Sequence, residues 1–168
     1  MNKFLSILLG LLVISAVGIL IYVSIRPANN EKFTEFYILG RNGKAQNYPT
    51  EFTMTNGQVT SVSYDGISDL TNGWGDVTLG LVNHEGEETT YSIKILIDNE
   101  AVDVNYDGVN VNQLGPLELL QDQTWQNEIG FSPEHAGDNQ EVDFLLFAGN
   151  NTAPENILRL WINVKPAP

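Results

Sequence analysis

Apolar and polar residues alternate with a period of two along most of the chain after residue 32. Eight such runs are separated by Gly, Asn, Asp and Pro, which favour turns. They lie at residues 33–39, 50–55, 59–64, 76–83, 89–97, 123–131, 141–148 and 158–164. No stretch after residue 27 has a helical period. The pattern predicts an all-β fold of roughly eight strands, and the strand spacing favours an immunoglobulin-like β-sandwich over residues 33–165.

A different pattern occupies the N-terminal end, where residues 4–25 are uncharged and mostly apolar. A helix of this length is about 33 Å long, which is enough to cross a hydrocarbon core of about 30 Å. The alternative is a cleaved signal peptide, whose apolar region is shorter and ends in a small-residue cleavage site. We expect one retained transmembrane helix at 4–25, between a tail at 1–3 and a linker at 26–32. The N terminus would then lie inside, and residues 27–168 would be extracytoplasmic.

The charge balance restricts the classes of partner. The chain carries 8 Lys and Arg against 21 Asp and Glu, for a formal net charge of −13. This argues against a nucleic-acid partner and against electrostatic docking on anionic lipid, since both need clustered positive charge. The acidic surface would instead attract cations or basic protein surfaces. The chain has no cysteine, which excludes disulfide bonds, thiolate metal sites and thiol catalysis.

Oxygen-bearing side chains at Asp103, Asn105 and Asp107, followed by Gly108, match the first half of a calcium-binding loop. The ninth and twelfth positions of that loop are Val and Leu here, so its second half does not match. The alternative is a two-residue hairpin turn at Asp107 and Gly108. We expect this turn, with at most weak calcium binding and no other cofactor.

His84 and His135 are the two histidines of the chain, and each falls in a predicted turn. Two isolated histidines do not have the ligand spacing of a zinc site. The chain also contains no nucleophile-elbow, phosphate-binding-loop or H-E-x-x-H motif. We therefore expect both histidines to be structural and the protein to have no catalytic residues.

Three further residues are candidates for modification or for partner binding. Asn150 begins an Asn-Asn-Thr sequence, which is an N-glycosylation acceptor site in exported proteins. Trp74 lies between two glycines, so its ring either projects as a binding anchor or folds back on the end of the sandwich. Trp161 points away from the apolar face of its strand. Its strand and the preceding one are apolar on both faces, as expected for a covered central position or a partner-binding patch.

Three parts of the sequence together are similar to a known family. They are FTEFYILGRNGKAQNYP at 33–49, LGLVNHE at 79–85 followed by YSI at 91–93, and FSPEHAG at 131–137 with FLLF at 144–147 and LRLWINV at 158–164. They resemble the largely archaeal membrane-protein family catalogued as domain of unknown function sixteen-sixteen. The resemblance implies an extracytoplasmic β-sandwich on a membrane anchor in an archaeal cell envelope. It implies no reaction, because the family has none assigned.

Taken together, these features predict a membrane-anchored, envelope-exposed β-sandwich that acts by binding or as a structural part. Its loops and edge strands would meet a partner near the membrane, either another envelope or membrane protein or a second copy of the chain. One alternative is a pilin-like subunit of a surface filament, although the apolar run has no early acid and no Gly or Ala precedes Phe4. The other alternative is a small metal-dependent or hydrolytic enzyme.

Overall fold

A computed structural model describes residues 12, 13, 15–22, 32–70 and 73–167. The chain divides into two compact units, Met1–Glu31 and Lys32–Pro168. In the first unit, residues 12, 13 and 15–22 are helical, and no helix within the described residues is long and apolar enough to cross a membrane. The other positions of the predicted transmembrane helix at 4–25 lie outside the described residues. The predicted tail at 1–3 and residues 26–31 of the linker also lie outside them.

The described part of the second unit is built from thirteen β-strands. They are β1 (Phe33–Leu39), β2 (Pro49–Thr55), β3 (Gln58–Tyr64), β4 (Ile67–Leu70), β5 (Gly75–His84), β6 (Thr89–Ile97), β7 (Glu100–Ala101), β8 (Val104–Tyr106), β9 (Val109–Val111), β10 (Leu114–Leu119), β11 (Thr124–Phe131), β12 (Gly137–Ala148) and β13 (Asn156–Pro166). The all-β prediction is confirmed.

The strands form two sheets. The smaller sheet has the order β1-β5-β11-β8-β9, and the larger one has the order β10-β6-β12-β13-β2-β3-β4, with β7 paired to β6. Neighbouring strands are antiparallel, except that β13 and β2 run parallel. The two sheets pack face to face because each has one apolar face to bury, which makes the unit a β-sandwich.

Alternation within the strands produces the core. On β6 the side chains of Tyr91, Ile93, Ile95 and Ile97 are buried, as the period of two predicts. Aromatic rings then join the two sheets. Phe131 of β11 lies 5.7 Å from Phe52 of β2 and 5.8 Å from Phe144 of β12, between ring centroids. All three rings are fully buried, so truncating any one of them to Ala is expected to cost about 3–5 kcal/mol.

The predicted strand count of eight was too low. The five strands not predicted are β4, β7, β8, β9 and β10, each with between two and six residues. Such short segments contain too few alternations to show a period of two. In β10 the pair Gly115-Pro116 also interrupts the pattern, and the register with β6 shifts between Leu114 and Leu117. Four of these strands pair with longer neighbours, and β9 pairs with β8 across the turn at Asp107 and Gly108.

Candidate functional site

Trp161 lies in the middle of β13 and is paired with Glu141 of β12. On its other side, β13 pairs with β2 from Asn163 to Pro166. Ile162 and Val164 of the same strand point into the core and are buried. Since successive side chains point to opposite faces, Trp161 projects from the outer face of the larger sheet. Its side chain is 53% exposed there. The predicted orientation of this tryptophan is therefore confirmed.

Apolar and charged side chains share the outer face of β12 and β13 with Trp161. Ile157, two positions before Arg159 on β13, is 45% exposed. On β12, Leu145 and Phe147 are half-buried, and the Lys94 ammonium lies 5.8 Å from the centroid of the Phe147 ring. We call this surface the tryptophan face and define it by Glu141, Asp143, Leu145, Phe147, Ile157, Arg159 and Trp161.

A fixed group of charges borders the indole. Arg159 donates from Nε to Asp143 Oδ1 (2.7 Å) and from Nη2 to Asp143 Oδ2 (3.1 Å), and its Nη2 also lies 2.9 Å from Glu141 Oε1. The hydrogen bond to Asp143 is the main reason that the pKa of the Arg159 guanidinium is raised. Glu141 lies directly opposite Trp161 in the strand register. An exposed aromatic anchor with a polar rim is the usual anatomy of a protein–protein contact.

Trp74 is half-buried and packs against the adjacent strand. Its Cβ lies so close to Gly130 of β11 that a Cβ at that glycine would be only 2.9 Å away. Beyond it is a groove of about 330 Å³, which Val59 and Ser132 also line. This is the packing expected of the alternative in which the tryptophan folds back on the sandwich. Partner binding through Trp74 stays a prediction.

The proposed calcium loop contains the predicted hairpin turn. Asp107 and Gly108 have φ of 51° and 78°, and they join β8 to β9 with Tyr106 opposite Val109. This turn is confirmed, because positive φ at both central residues is what a tight hairpin requires. Within the described ranges, no three His, Asp or Glu side chains are grouped as a metal site. Weak calcium binding by Asp103, Asn105 and Asp107 stays a prediction.

The two histidines have different surroundings. His84 is the last residue of β5 and the turn begins after it, so its predicted place in the turn was wrong by one position, because β1 pairs with β5 up to this residue. Its Nδ1 lies 2.7 Å from Asp122 Oδ1 and its Nε2 lies 3.3 Å from Glu35 Oε1. His135 lies in the connection between β11 and β12, where a turn was predicted, and it is exposed.

Asn150 is exposed in the turn that joins β12 to β13. The preceding Gly149 has φ of 56°, and the backbone amide of Asn151 donates to the carbonyl of Ala148 at 3.2 Å. The side chain of Asn150 is thus accessible on a tight surface turn, which is where glycosylation sites occur. Its modification stays a prediction.

One polar groove was not found from the sequence. It measures about 320 Å³ and includes Arg41, Tyr64 and Asp69. Arg41 forms an ion pair with Asp69, and its guanidinium carbon lies 5.3 Å from the centroid of the Tyr64 ring. Burial is the main cause that raises the pKa of Tyr64, while the hydrogen bond to Asp69 raises that of Arg41. These residues come from separate strands and turns, so no local motif could have predicted the groove.

No curated protein matches the chain. The family model described as "Domain of unknown function (DUF1616)" matches residues 68–163, which is more than half of the chain. The match runs from β4 into β13 and includes the whole tryptophan face. The description names no activity, and the family agrees with the one that the sequence resembles. The chain therefore belongs to the Domain of unknown function (DUF1616) family.

Proposed function

We propose that this protein is a non-catalytic binding module that contacts another protein through the tryptophan face. The exposure of Trp161 is the observation that carries the proposal. Trp161 is paired with Glu141 of β12 within a long regular strand, so this exposure is not the result of a loose loop. Burying a large aromatic side chain is among the strongest single contributions to binding between proteins.

The short and irregular edge strands also favour partner binding through the face of a sheet rather than through its edge. The edge strands β4 and β9 have four and three residues, and β10 contains Pro116, which has no amide hydrogen to donate. Short and irregular edges discourage strand addition. The edge strand β1 has seven residues and is long enough to accept a partner strand. Strand addition to β1 is therefore the alternative contact that the experiment must distinguish from the tryptophan face.

Charge indicates the chemistry of the partner. The net charge of −13 disfavours pairing of two copies through the same face, because like charges repel. On the face itself, two carboxylates surround a single guanidinium. The proposed partner is therefore a different protein that has an apolar pocket for the indole and a basic rim around it.

We further propose that residues 4–25 anchor the chain in a membrane and that the sandwich, of immunoglobulin-like type, lies outside the cytoplasm. The uncharged apolar run and the resemblance to an archaeal membrane family support the anchor. Two largely antiparallel sheets packed face to face support the immunoglobulin-like assignment. The partner would then be an envelope or membrane protein, since the linker at 26–32 is short.

The arrangement of polar groups supports a role without catalysis. Both ring nitrogens of His84 face carboxylates, which leaves neither directed at a nucleophile. Arg41, which lines the polar groove, is already paired with Asp69. A pilin-like subunit and a small hydrolytic or metal-dependent enzyme are the alternatives that the experiment below must separate from binding.

In-situ cross-linking of native membranes tests the proposal. Lys94 and Lys165 lie on or beside the tryptophan face and are suitable sites for amine-reactive reagents. We expect cross-links to one other protein, reduced at least about tenfold by Trp161→Ala. Trp74→Ala is the matched control, because it removes a tryptophan elsewhere, and it should keep the cross-link.

Four outcomes would contradict the proposal. Full cross-linking by Trp161→Ala would exclude the tryptophan face, and loss confined to Trp74→Ala would move the contact to that loop. Cross-links only between copies of this chain would favour a filament or homo-oligomer. Cross-links that map to the edge of β1 would indicate strand addition instead.

A further inference from the structure

The first half of β13 has a strand partner on one side only. Residues 156–162 pair with β12 along their whole length. On the other side, β2 pairs with β13 only from Asn163 to Pro166, and the part of the chain that the structure describes places no strand beside residues 156–162. Backbone N–H and C=O groups point alternately to the two sides of a strand, so those on this side have no ladder partner. We call residues 156–162 the open half of β13.

The core-facing side chains of the open half are less buried than their neighbours. Leu158 and Leu160 are half-buried, whereas Ile162 and Val164, farther along the same face of the strand, are 1% and 2% exposed. Phe144 lies directly opposite Leu158 on β12 and is fully buried, because β12 also has β6 on its other side. The missing neighbour therefore leaves an apolar slot beside Leu158 and Leu160.

An extended segment is the occupant that satisfies both features. It would form a hydrogen-bond ladder with the open half and would place alternate side chains in the slot beside the two leucines. A helix could fill the slot, but it would leave the backbone groups of β13 without partners. The open half is also slightly longer than an average strand, so a full ladder can form along it.

The outer face of the open half indicates the chemistry of that segment. Its outward side chains would lie beside Ile157, Arg159 and Trp161, which belong to the tryptophan face. Glu141 and Asp143 both contact Arg159, so the local charge is negative overall. Basic side chains at the outward positions complement this charge. A second copy of the chain is a poorer occupant, because its net charge is −13.

Two other pairings are less favourable. Residues 26–31 of this chain read RPANNE and offer no large apolar side chain to the slot. The edge of β1 belongs to the smaller sheet and is partly occupied near its end. There the Tyr48 hydroxyl donates to the carbonyl of Ile38 at 3.1 Å, and the Gly40 amide donates to the carbonyl of Lys44 at 2.8 Å. The open half of β13 is therefore the better acceptor of a strand.

We propose that the open half of β13 accepts an extended segment of the partner protein as an added β-strand. The segment has apolar side chains at its inward positions and Lys or Arg at its outward positions. It extends the larger sheet beside residues 156–162 and covers Leu158 and Leu160, while the rest of the partner covers Trp161. This inference rests on the proposed function, because it states how the partner of the tryptophan face is bound.

Amide hydrogen exchange of the full chain in detergent tests the inference, with the synthetic peptide KVKVKVK as the probe. Without peptide, alternate amides of the open half should exchange faster than those of β6, which is paired on both sides. With peptide at about ten times its Kd, their exchange should slow by about tenfold, because only the unbound form exchanges. The peptide KGKGKGK has the same charge but a low strand propensity, and it should give no protection.

Variants in the slot separate strand addition from attraction by charge alone. Leu158→Lys places a positive charge beside the inward face of the added strand, so it should abolish the protection. Leu158→Ala keeps the slot apolar but shallower and should reduce the protection, which keeps the test decisive if the Lys variant does not fold. Ile67→Lys is the control, because it adds the same charge to the edge strand β4, where Ile67 is 74% exposed, and it should keep the protection.

Four results would overturn strand addition at β13. They are equal protection by both peptides, protection of β1 instead, no protection at about 1 mM peptide, which saturates any micromolar site, and slow exchange throughout the open half without peptide. The proposed function is tested separately by the cross-links. If Trp161→Ala loses the partner cross-link but KVKVKVK gives no protection, the tryptophan face remains the contact and only the added strand is excluded.

Discussion

The outer faces of the two sheets each carry a large aromatic residue, but they use it differently. On the smaller sheet, Tyr37 of β1 lies across Gly80 of β5, where any side chain would collide with its ring. The Tyr37 hydroxyl then donates to Gln126 Oε1 on β11 at 3.0 Å, so this residue spans three strands. On the larger sheet, Trp161 lies opposite Glu141 and remains more than half exposed. The tyrosine stabilises the packing of its own sheet, whereas the tryptophan stays available to a partner.

The charges on the two faces also differ. On the larger sheet, Glu141 and Asp143 share the guanidinium of Arg159. On the smaller sheet, Asp76 is partly buried, and that burial, with the nearby charge of Glu128 as the second cause, raises the pKa of the Asp76 carboxyl. The charges of the larger sheet are therefore held in a fixed arrangement, while the smaller sheet contains an acid whose ionisation opposes folding.

Among changes on the two outer faces, filling the space under Tyr37 should have the largest effect on stability. Gly80→Ala places a methyl group where the ring now lies, so we expect a loss of about 1–3 kcal/mol and a Tm lower by about 4–10 °C. The double variant with Tyr37→Ala removes the collision, and its loss should be smaller than the sum of the two single losses. Differential scanning calorimetry measures both. A Gly80→Ala variant as stable as the wild type would show that Tyr37 is not held on this glycine.

Removing the cation of the tryptophan face should have the next largest effect. Arg159→Met leaves Asp143, which is 8% exposed, without its charged partner. A buried carboxylate without a partner is strongly unfavourable, so the Tm should fall by several degrees. Arg159→Lys keeps the charge but loses the two-pronged contact, and it should lie between the wild type and the Met variant. If both variants have the same Tm as the wild type, the ion pair does not stabilise this face.

Truncating Tyr37 should lower stability and leave partner binding intact, whereas truncating Trp161 should mainly remove partner binding. Tyr37→Ala loses its packing over Gly80 and a hydrogen bond, and we expect a loss of about 1–2 kcal/mol in urea unfolding. Trp161→Ala should lower the unfolding free energy by less than Tyr37→Ala does, because Trp161 is 53% exposed. Partner cross-linking should be lost only in Trp161→Ala. A large loss of stability in Trp161→Ala would mean that the fold needs this side chain.

The smallest expected effect concerns Asp76 and depends on pH. Its pKa is higher in the folded than in the unfolded state, so the folded protein binds this proton more tightly and loses stability as pH rises through that value. Asp76→Asn removes the free-energy cost of keeping a charged carboxylate partly buried, so it should raise the Tm at pH 7 by about 1–2 °C. Below about pH 3 the two proteins should melt alike, since the carboxyl is protonated in both states. A rise of the same size at low pH would assign the effect to packing.

Strand length decided which parts of the sandwich were predictable. β6 and β13 are long enough for alternation to show, and the predicted inward residues, such as Ile95 and Ile162, are buried. The short strands β7, β8 and β9 contain two or three residues each, and they depend on the backbone groups of their neighbours. Of the site, the outward direction of Trp161 was predictable from alternation within its own strand.

The amino-acid sequence by itself determined the all-β class, the long strands, the turn at Asp107 and the side of β13 from which Trp161 projects. These properties are local, because side-chain direction in a strand and turn geometry depend on adjacent residues. Only the tertiary structure decided that Tyr37 covers Gly80 and that Arg159 joins two acids. Those contacts join residues far apart in sequence, and they depend on strand order and register, which a period of two leaves open.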